Sequence, residues 1–245
     1  MEDNQNLTAE EREQKRKERA ERLEKGMNKE TRNRFLLWLS VIILIIAVIV
    51  AMVMVVGKGG SDGDVTIAES VTAKDWVKGN PEATTTLIEY ADFECPACAQ
   101  YHPVIKQLEE EYGDKIRFVY RHFPLQQHIN ARPSARAAEA AGLQGKFFEM
   151  HDLIYTNQKE WAAKPNGKEI FRRYAEELGL NMEKYDNDYE SRQIGDKISE
   201  DYTSGVKYGV KGTPTFYLNN TKLSPKSFED FRRSIAESIE GAVNN

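Results

Sequence analysis

The chain contains two cysteines, Cys95 and Cys98, separated only by Pro96 and Ala97. A pair so spaced can exchange disulfides with another protein, bind a metal ion, or close a short staple. The staple gains little: a loop of about four residues is worth roughly 2 kcal/mol, against about 4.7 kcal/mol for a 100-residue loop. A structural zinc site usually takes four ligands, and the chain adds only four histidines, His102, His122, His128 and His151, dispersed along the sequence. Haem attachment needs a histidine directly after the second cysteine, and that place is held by Ala99. Thiol-disulfide exchange is the reading the spacing favours.

That chemistry needs a thiolate, and a cysteine at a helix N-terminus is acidified by unpaired backbone N–H groups and by the helix dipole. The sequence predicts a helix from Cys95 to about Tyr112, with Pro96 in a first turn that has no use for its missing N–H. Cys98, one turn on, shares the face of Cys95 and can resolve a mixed disulfide formed there. Glu89 precedes Cys95 by six residues in the apolar stretch TLIEYADF. In a strand covered on both faces its carboxylate is desolvated, titrates high, and can pass a proton during exchange; a solvent-facing or ion-paired glutamate is the alternative. The segment Gly212-Thr-Pro-Thr215 places a proline directly before a strand, and sequence alone favours a trans Thr213–Pro214 bond. His102 falls one turn after Cys98 and could modulate the pair, although a packed or surface histidine fits it as well. The other three histidines read as structural.

Periodicity supplies the elements that must hold these groups. Strands are expected at Val65 to Ala68, Thr84 to Asp92 and Ile116 to Phe123, and a helical insertion at about 129–208. Within the insertion, helices are expected at Ser134 to Leu143, Lys146 to Thr156, Lys168 to Leu178 and Met182 to Tyr208. Phe147, Phe148, Tyr155, Phe171 and Tyr174 recur at near-helical intervals and suit the core of that insertion. The chain then returns to strands at Thr215 to Leu218 and near Lys222, across an Asn219-Asn220 turn. A last helix is expected from about Phe228 to Glu240, with Ser227 and Asp230 at capping-box-like spacing.

Upstream, Phe35 to Val56 is 22 residues without a charge, long enough as a helix to cover about 33 Å and cross a bilayer. A cleaved signal peptide is the competitor. The 34-residue leader, the length of the run and the lack of a small-residue cleavage site favour an uncleaved anchor. Lys15 to Arg34 carries nine basic residues, against only Lys58 and Lys74 in Gly57 to Trp76, which orients the N-terminus to the cytoplasm. Residues 1–34 read as a charged tail, whose Glu10 to Lys25 segment has helical charge spacing. Residues 57–64 read as a flexible linker, and 65–245 as the outer domain. Net charge is −5 for the whole chain, and ten basic and nine acidic residues precede the run, leaving 24 against 30 after it. A mildly acidic domain of this kind gives no footing for nucleic acid.

Glu89, Cys95-Pro-Ala-Cys98 at a strand-to-helix junction, the long helical insertion and Gly212-Thr-Pro-Thr215 together resemble a DsbA-like protein of thioredoxin fold, in its membrane-tethered form. His122 to Leu125 (HFPL) and Phe147 to His151 (FFEMH) are similar to that family too. The resemblance implies an α/β thioredoxin-like fold with an inserted helical subdomain. It implies a cis Thr213–Pro214 bond facing the cysteines, with Thr213 pairing a substrate segment in strand-like fashion. The best-known strong oxidants of the family carry Pro-His between the cysteines, so Pro96-Ala97 lacks one source of thiolate stabilisation.

The function expected is oxidation of exported proteins or peptides by the Cys95-Cys98 disulfide outside the cytoplasm, with no other cofactor and no metal. The resemblance suggests reoxidation by a quinone-linked membrane oxidase of the DsbB or vitamin K epoxide reductase type. A reductase or isomerase, and a non-catalytic binding module, are the alternatives.

Overall fold

A computed structural model describes residues 9–57 and 71–243, apart from the side chains at 9, 24, 26–32, 49–57 and 243. The chain divides into two compact units, Met1–Asp62 and Gly63–Asn245. In the first, helix α1 (Ala9–Gly57) runs through the described part of the charged tail, from residue 9, and the apolar run. Glu13 and Lys17 pair across one turn at 3.1 Å, an exposed contact that contributes little.

Among the described residues no helix is long and apolar enough to cross a membrane. The part of the expected anchor with described side chains, Phe35 to Val48, is fourteen exposed residues, about 21 Å of helix against a hydrocarbon core of about 30 Å. Its last eight residues lie outside those whose side chains are described, as do the whole expected linker, 57–64, and the whole strand expected at Val65 to Ala68.

The second unit is a five-stranded sheet in the order β1-β3-β2-β4-β5. The strands are β1 (Trp76–Gly79), β2 (Thr85–Ala91), β3 (Ile116–His122), β4 (Thr215–Leu218) and β5 (Thr221–Lys222). Helix α2 (Pro96–Tyr112) connects β2 to β3, which run parallel, while β4 runs antiparallel to β2. Every residue of β2 is buried, as in a strand covered on both faces, so its sequence shows no strict alternation of apolar and polar residues. Alternate side chains face opposite ways. Leu87 and Ala91 pack with Phe118, Tyr120, Cys98 and Ile105, and Ile88 and Tyr90 with Val119, Tyr208 and Tyr217. By parity Glu89 falls on the Leu87 side, the side of α2.

Between β3 and β4 lie α3 (Ala131–Gly142), α4 (Phe147–Thr156), α5 (Gln158–Trp161), α6 (Gly167–Glu177), α7 (Met182–Glu190) and α8 (Arg192–Lys207). Phe147, Tyr155, Phe171 and Tyr174 are buried in the core, with Phe148 packed on it. Two expectations are corrected. Helix α3 starts three residues earlier than expected, at Ala131, and Ser134 lies inside it, its hydroxyl donating to the Asn130 carbonyl at 2.7 Å. The single helix expected from Met182 to Tyr208 is broken at Ser191, which is extended (φ −63°, ψ 148°) and accepts the Ile194 N–H, as an N-cap serine does. The β4–β5 turn has Asn219 and Asn220 at φ 47° and 70°, the two positive values a two-residue hairpin requires. Helix α9 (Phe228–Val243) begins with the Asp230 N–H donating to Ser227 Oγ at 3.1 Å.

Candidate dithiol site

After Ala91 the chain turns through Asp92, Phe93 and Glu94 into α2, and Asp92 fixes the turn. Its Oδ1 accepts the Glu94 N–H at 2.8 Å; its Oδ2 accepts the Leu125 N–H at 2.8 Å and faces His128 Nδ1 at 2.7 Å. Cys95 is thereby set at the N-cap of α2, with extended backbone (φ −69°, ψ 121°). Both cysteines are free thiols. Cys95 is 7 % exposed and Cys98 1 %, while Pro96 and Ala97 stand exposed between them. An incoming sulfur therefore meets Cys95 first.

Because β4 is antiparallel to β2, with Thr215 opposite Tyr90, the start of β4 lies beside the end of β2. The Thr213–Pro214 bond that precedes it is cis, correcting the trans bond expected from sequence alone and matching what the resemblance implies. The Cys95 thiol donates to the Thr213 carbonyl at 3.3 Å. The Thr213 hydroxyl oxygen is buried and makes no hydrogen bond.

The two thiols are pushed in opposite directions. Cys95 is lowered to about 5, first by a hydrogen bond from the Cys98 thiol, against desolvation, and then by the Thr213 side chain and the N–H groups of Cys98 and Ala97. The helix N-terminus invoked from sequence contributes, but the partner thiol contributes more. Burial pushes Cys98 well above the ordinary thiol value. Glu89, opposite Tyr120 and Phe216 in the sheet, is 1 % exposed and has no partner at Oε2. Burial, then Cys95 and Glu109, raise it to about 8. The solvent-facing and ion-paired alternatives for Glu89 do not describe its surroundings.

The histidines, dispersed in sequence, are gathered by the fold. His102 Nε2 and His151 Nδ1 both lie 3.0 Å from Asp152 Oδ1. Burial lowers His151 to about 4. His122 Nε2 lies 2.9 Å from Glu139 Oε1, which also accepts the Trp76 indole N–H. Among the described residues, His102-His151-Asp152 and His122-Glu139-Asp201 are the groups whose ligand atoms lie within 4.8 Å of one another. Their carboxylates already serve these imidazoles, Trp76, Lys197 and the His122 N–H. The clefts along α8, lined by residues such as Asp75, Lys197 and Glu200, contain neither cysteine.

Sequence reasoning passed over Asp92, Glu94 and Gln158. The two acids flanking Phe93 in an otherwise apolar strand end were a readable signal; nothing in the sequence marked Gln158.

A family model described as Thioredoxin matches residues 71–237. The chain is 39% identical over 166 residues to Na(+)/H(+) antiporter NhaA 3 of Salinispora tropica, covering 67% of this chain and 24% of that protein. It thus spans about a quarter of the length of the curated relatives it matches. Among solved structures, alpha-DsbA1 of Wolbachia pipientis superposes with a TM-score of 0.63 at 23% identity, over 71% of this chain and 94% of that one. A thioredoxin-like oxidoreductase from Silicibacter pomeroyi superposes with a TM-score of 0.60 at 25% identity, over 74% and 99%.

Proposed function

Because the chain belongs to the thioredoxin family, we propose that this DsbA-like thiol-disulfide oxidoreductase works in the oxidising direction, introducing disulfides into exported proteins or peptides. One arrangement carries the reading: Cys95 sits at the N-cap of α2 with Cys98 buried one turn on, which lowers Cys95 to about 5 and raises Cys98. A stabilised thiolate favours the reduced enzyme and makes its disulfide an oxidant.

In the oxidised enzyme a substrate thiolate attacks Cys95 Sγ, the Cys95–Cys98 bond breaks, and Cys98 leaves and takes a proton. We assign that proton to Glu89, which burial keeps protonated and which acts electrostatically on Cys98. A second substrate thiolate then attacks the substrate sulfur of the mixed disulfide and expels Cys95 as its stable thiolate. The substrate has lost two electrons, and the enzyme holds them as a dithiol. Thr213 and the cis Pro214 border this exchange, and the Thr213 backbone suits pairing with an extended substrate. Re-forming the enzyme disulfide needs an external acceptor, for which a quinone-linked membrane oxidase fits the chemistry.

We further propose that Phe35 to Val56 anchors the chain in the cell membrane, with residues 1–34 in the cytoplasm and the dithiol domain outside. The uncharged run and the nine basic residues before it support this. The antiporter relatives are about three-quarters unmatched, and we assign the shared stretch to dithiol chemistry and not to transport. The Pro96-Ala97 dipeptide, lacking an imidazole, favours a reductase or isomerase as the second reading.

Mixing Cys98→Ser protein with an unfolded substrate disulfide tests the core of the reading. A mixed disulfide at Cys95 should accumulate, and Cys95→Ser should trap nothing. Equal trapping by both variants, or by neither, would reject the assignment.

A further inference from the structure

The segment before the nucleophile is gripped by the inserted helices. Gln158, the first residue of α5, donates its side-chain amide to two carbonyls at once, that of Phe93 at 2.7 Å and that of Cys95 at 3.0 Å. Between them, the buried Glu94 carboxylate spans two loops, accepting the Asn130 N–H at one oxygen and the Ala163 N–H at the other, both at 2.6 Å. Ala163 takes φ 57° to make that contact, a conformation that side chains other than glycine rarely adopt. The Asn130 amide donates to the Trp161 and Lys164 carbonyls at 3.1 and 2.8 Å, tying the two loops to each other. Three consecutive residues, Phe93, Glu94 and Cys95, are thus fixed from outside the sheet and outside α2.

We propose that Gln158 is a positioning residue for Cys95, through which the inserted helical region sets the reactivity of the nucleophile. The inference rests on the oxidoreductase reading and names a further residue in it. The Cys95 carbonyl also accepts the Ala99 N–H at 3.2 Å, inside the first turn of α2. Holding that carbonyl fixes the peptide plane at the N-cap, and with it the position of Cys95 Sγ relative to the Ala97 and Cys98 N–H groups. The effect is selective for one redox state. In the disulfide the Cys95 sulfur is held covalently by Cys98; in the dithiol only hydrogen bonds and the N-cap geometry hold it. Losing the clamp therefore destabilises the thiolate form more than the disulfide form. With alanine where an imidazole could have stood, the backbone donors carry more of the stabilisation, and their aim matters more.

Gln158→Leu keeps the size of the side chain and removes both donors. The test uses the full chain and two readouts, ultraviolet titration of the Cys95 thiolate and the redox equilibrium against glutathione. The expected result is a rise of about one unit in the Cys95 pKa and an equilibrium shifted about tenfold toward the disulfide, the size of one lost hydrogen bond. Tyr174→Phe, which removes only the hydrogen bond to Glu160 at 2.9 Å, loosens the same region without touching residues 93–95 and should leave both readouts unchanged. Gln158→Met replaces the leucine variant if that one does not fold. Unchanged titration and equilibrium in the Gln158 variant, or equal shifts in Tyr174→Phe, would overturn the proposal. A parent chain with no reversible Cys95–Cys98 couple would instead overturn the reading beneath it.

Discussion

Cys95 Sγ and the Thr213 carbonyl oxygen lie 3.3 Å apart although 118 residues separate them in the chain. The contact exists because β2 and β4 are antiparallel neighbours: the end of one and the start of the other share an edge of the sheet. It places a residue from beyond the whole helical insertion against the nucleophile, and the unpartnered Thr213 hydroxyl comes with it.

Replacing Thr213 by valine keeps the shape and the carbonyl but removes that hydroxyl. The Cys95 thiolate should then titrate above the present value of about 5, by about half a unit to one unit, because the buried hydroxyl, which has no partner beside the thiol, is no longer there to donate to the charged sulfur. Thiolate absorbance followed from pH 3 to 9 measures it. An unmoved midpoint would remove Thr213 from the stabilisation of Cys95.

Glu89 gives a stability effect whose sign is fixed by its titration. Its folded value, about 8, is above its ordinary 4.5, so its stabilising share is complete below pH 4.5 and is lost as pH rises toward 8. In Glu89→Gln that loss is absent. The reduced variant should match the parent at pH 4 and exceed it by about 3 kcal/mol at pH 7, from about 2.5 units at 1.36 kcal/mol each. Its exchange with substrate at neutral pH should slow on the order of 100-fold, as for loss of a general acid-base group. Denaturant melts at the two pH values decide the first part. Equal stability differences at both would show that Glu89 does not titrate high.

Gly205 lies in α8 against the far face of the sheet. A Cβ there would come within 2.6 and 2.8 Å of the Phe123 ring and 3.0 Å of Tyr90, and Phe123 is stacked on Tyr202 at 4.6 Å, which limits its retreat. Overpacking costs about 1–3 kcal/mol, against up to about 1 kcal/mol gained by alanine over glycine in a helix. Gly205→Ala should therefore lower the melting temperature by about 2–8 °C and leave the Cys95 titration in place. A rise in melting temperature would mean that the ring moves aside freely.

The parts of this site legible in the sequence are those written in local patterns. TLIEYADF reads as a buried strand because β2 is covered on both faces, and Cys95-Pro96 reads as a helix start because proline suits a first turn. What was illegible depends on distant chain. The cis geometry of Thr213–Pro214 was implied by the resemblance and not by the residues alone, and the bonds from Gln158 arise only when α5 is brought to Cys95. The histidines looked scattered because sequence distance hides the packing that puts His102 and His151 on one Asp152 oxygen. The break at Ser191 was missed because polar and apolar residues keep a helical rhythm through it, and only the serine cap marks the end.

The reduction potential of the full chain, equilibrated with glutathione buffers, tests the central claim most directly. With Cys95 lowered to about 5 but no imidazole in the Pro96-Ala97 dipeptide, the potential should lie between about −120 mV, the value of DsbA, and about −200 mV. A potential near −270 mV, that of thioredoxin, would contradict the oxidase and make this chain a reductase.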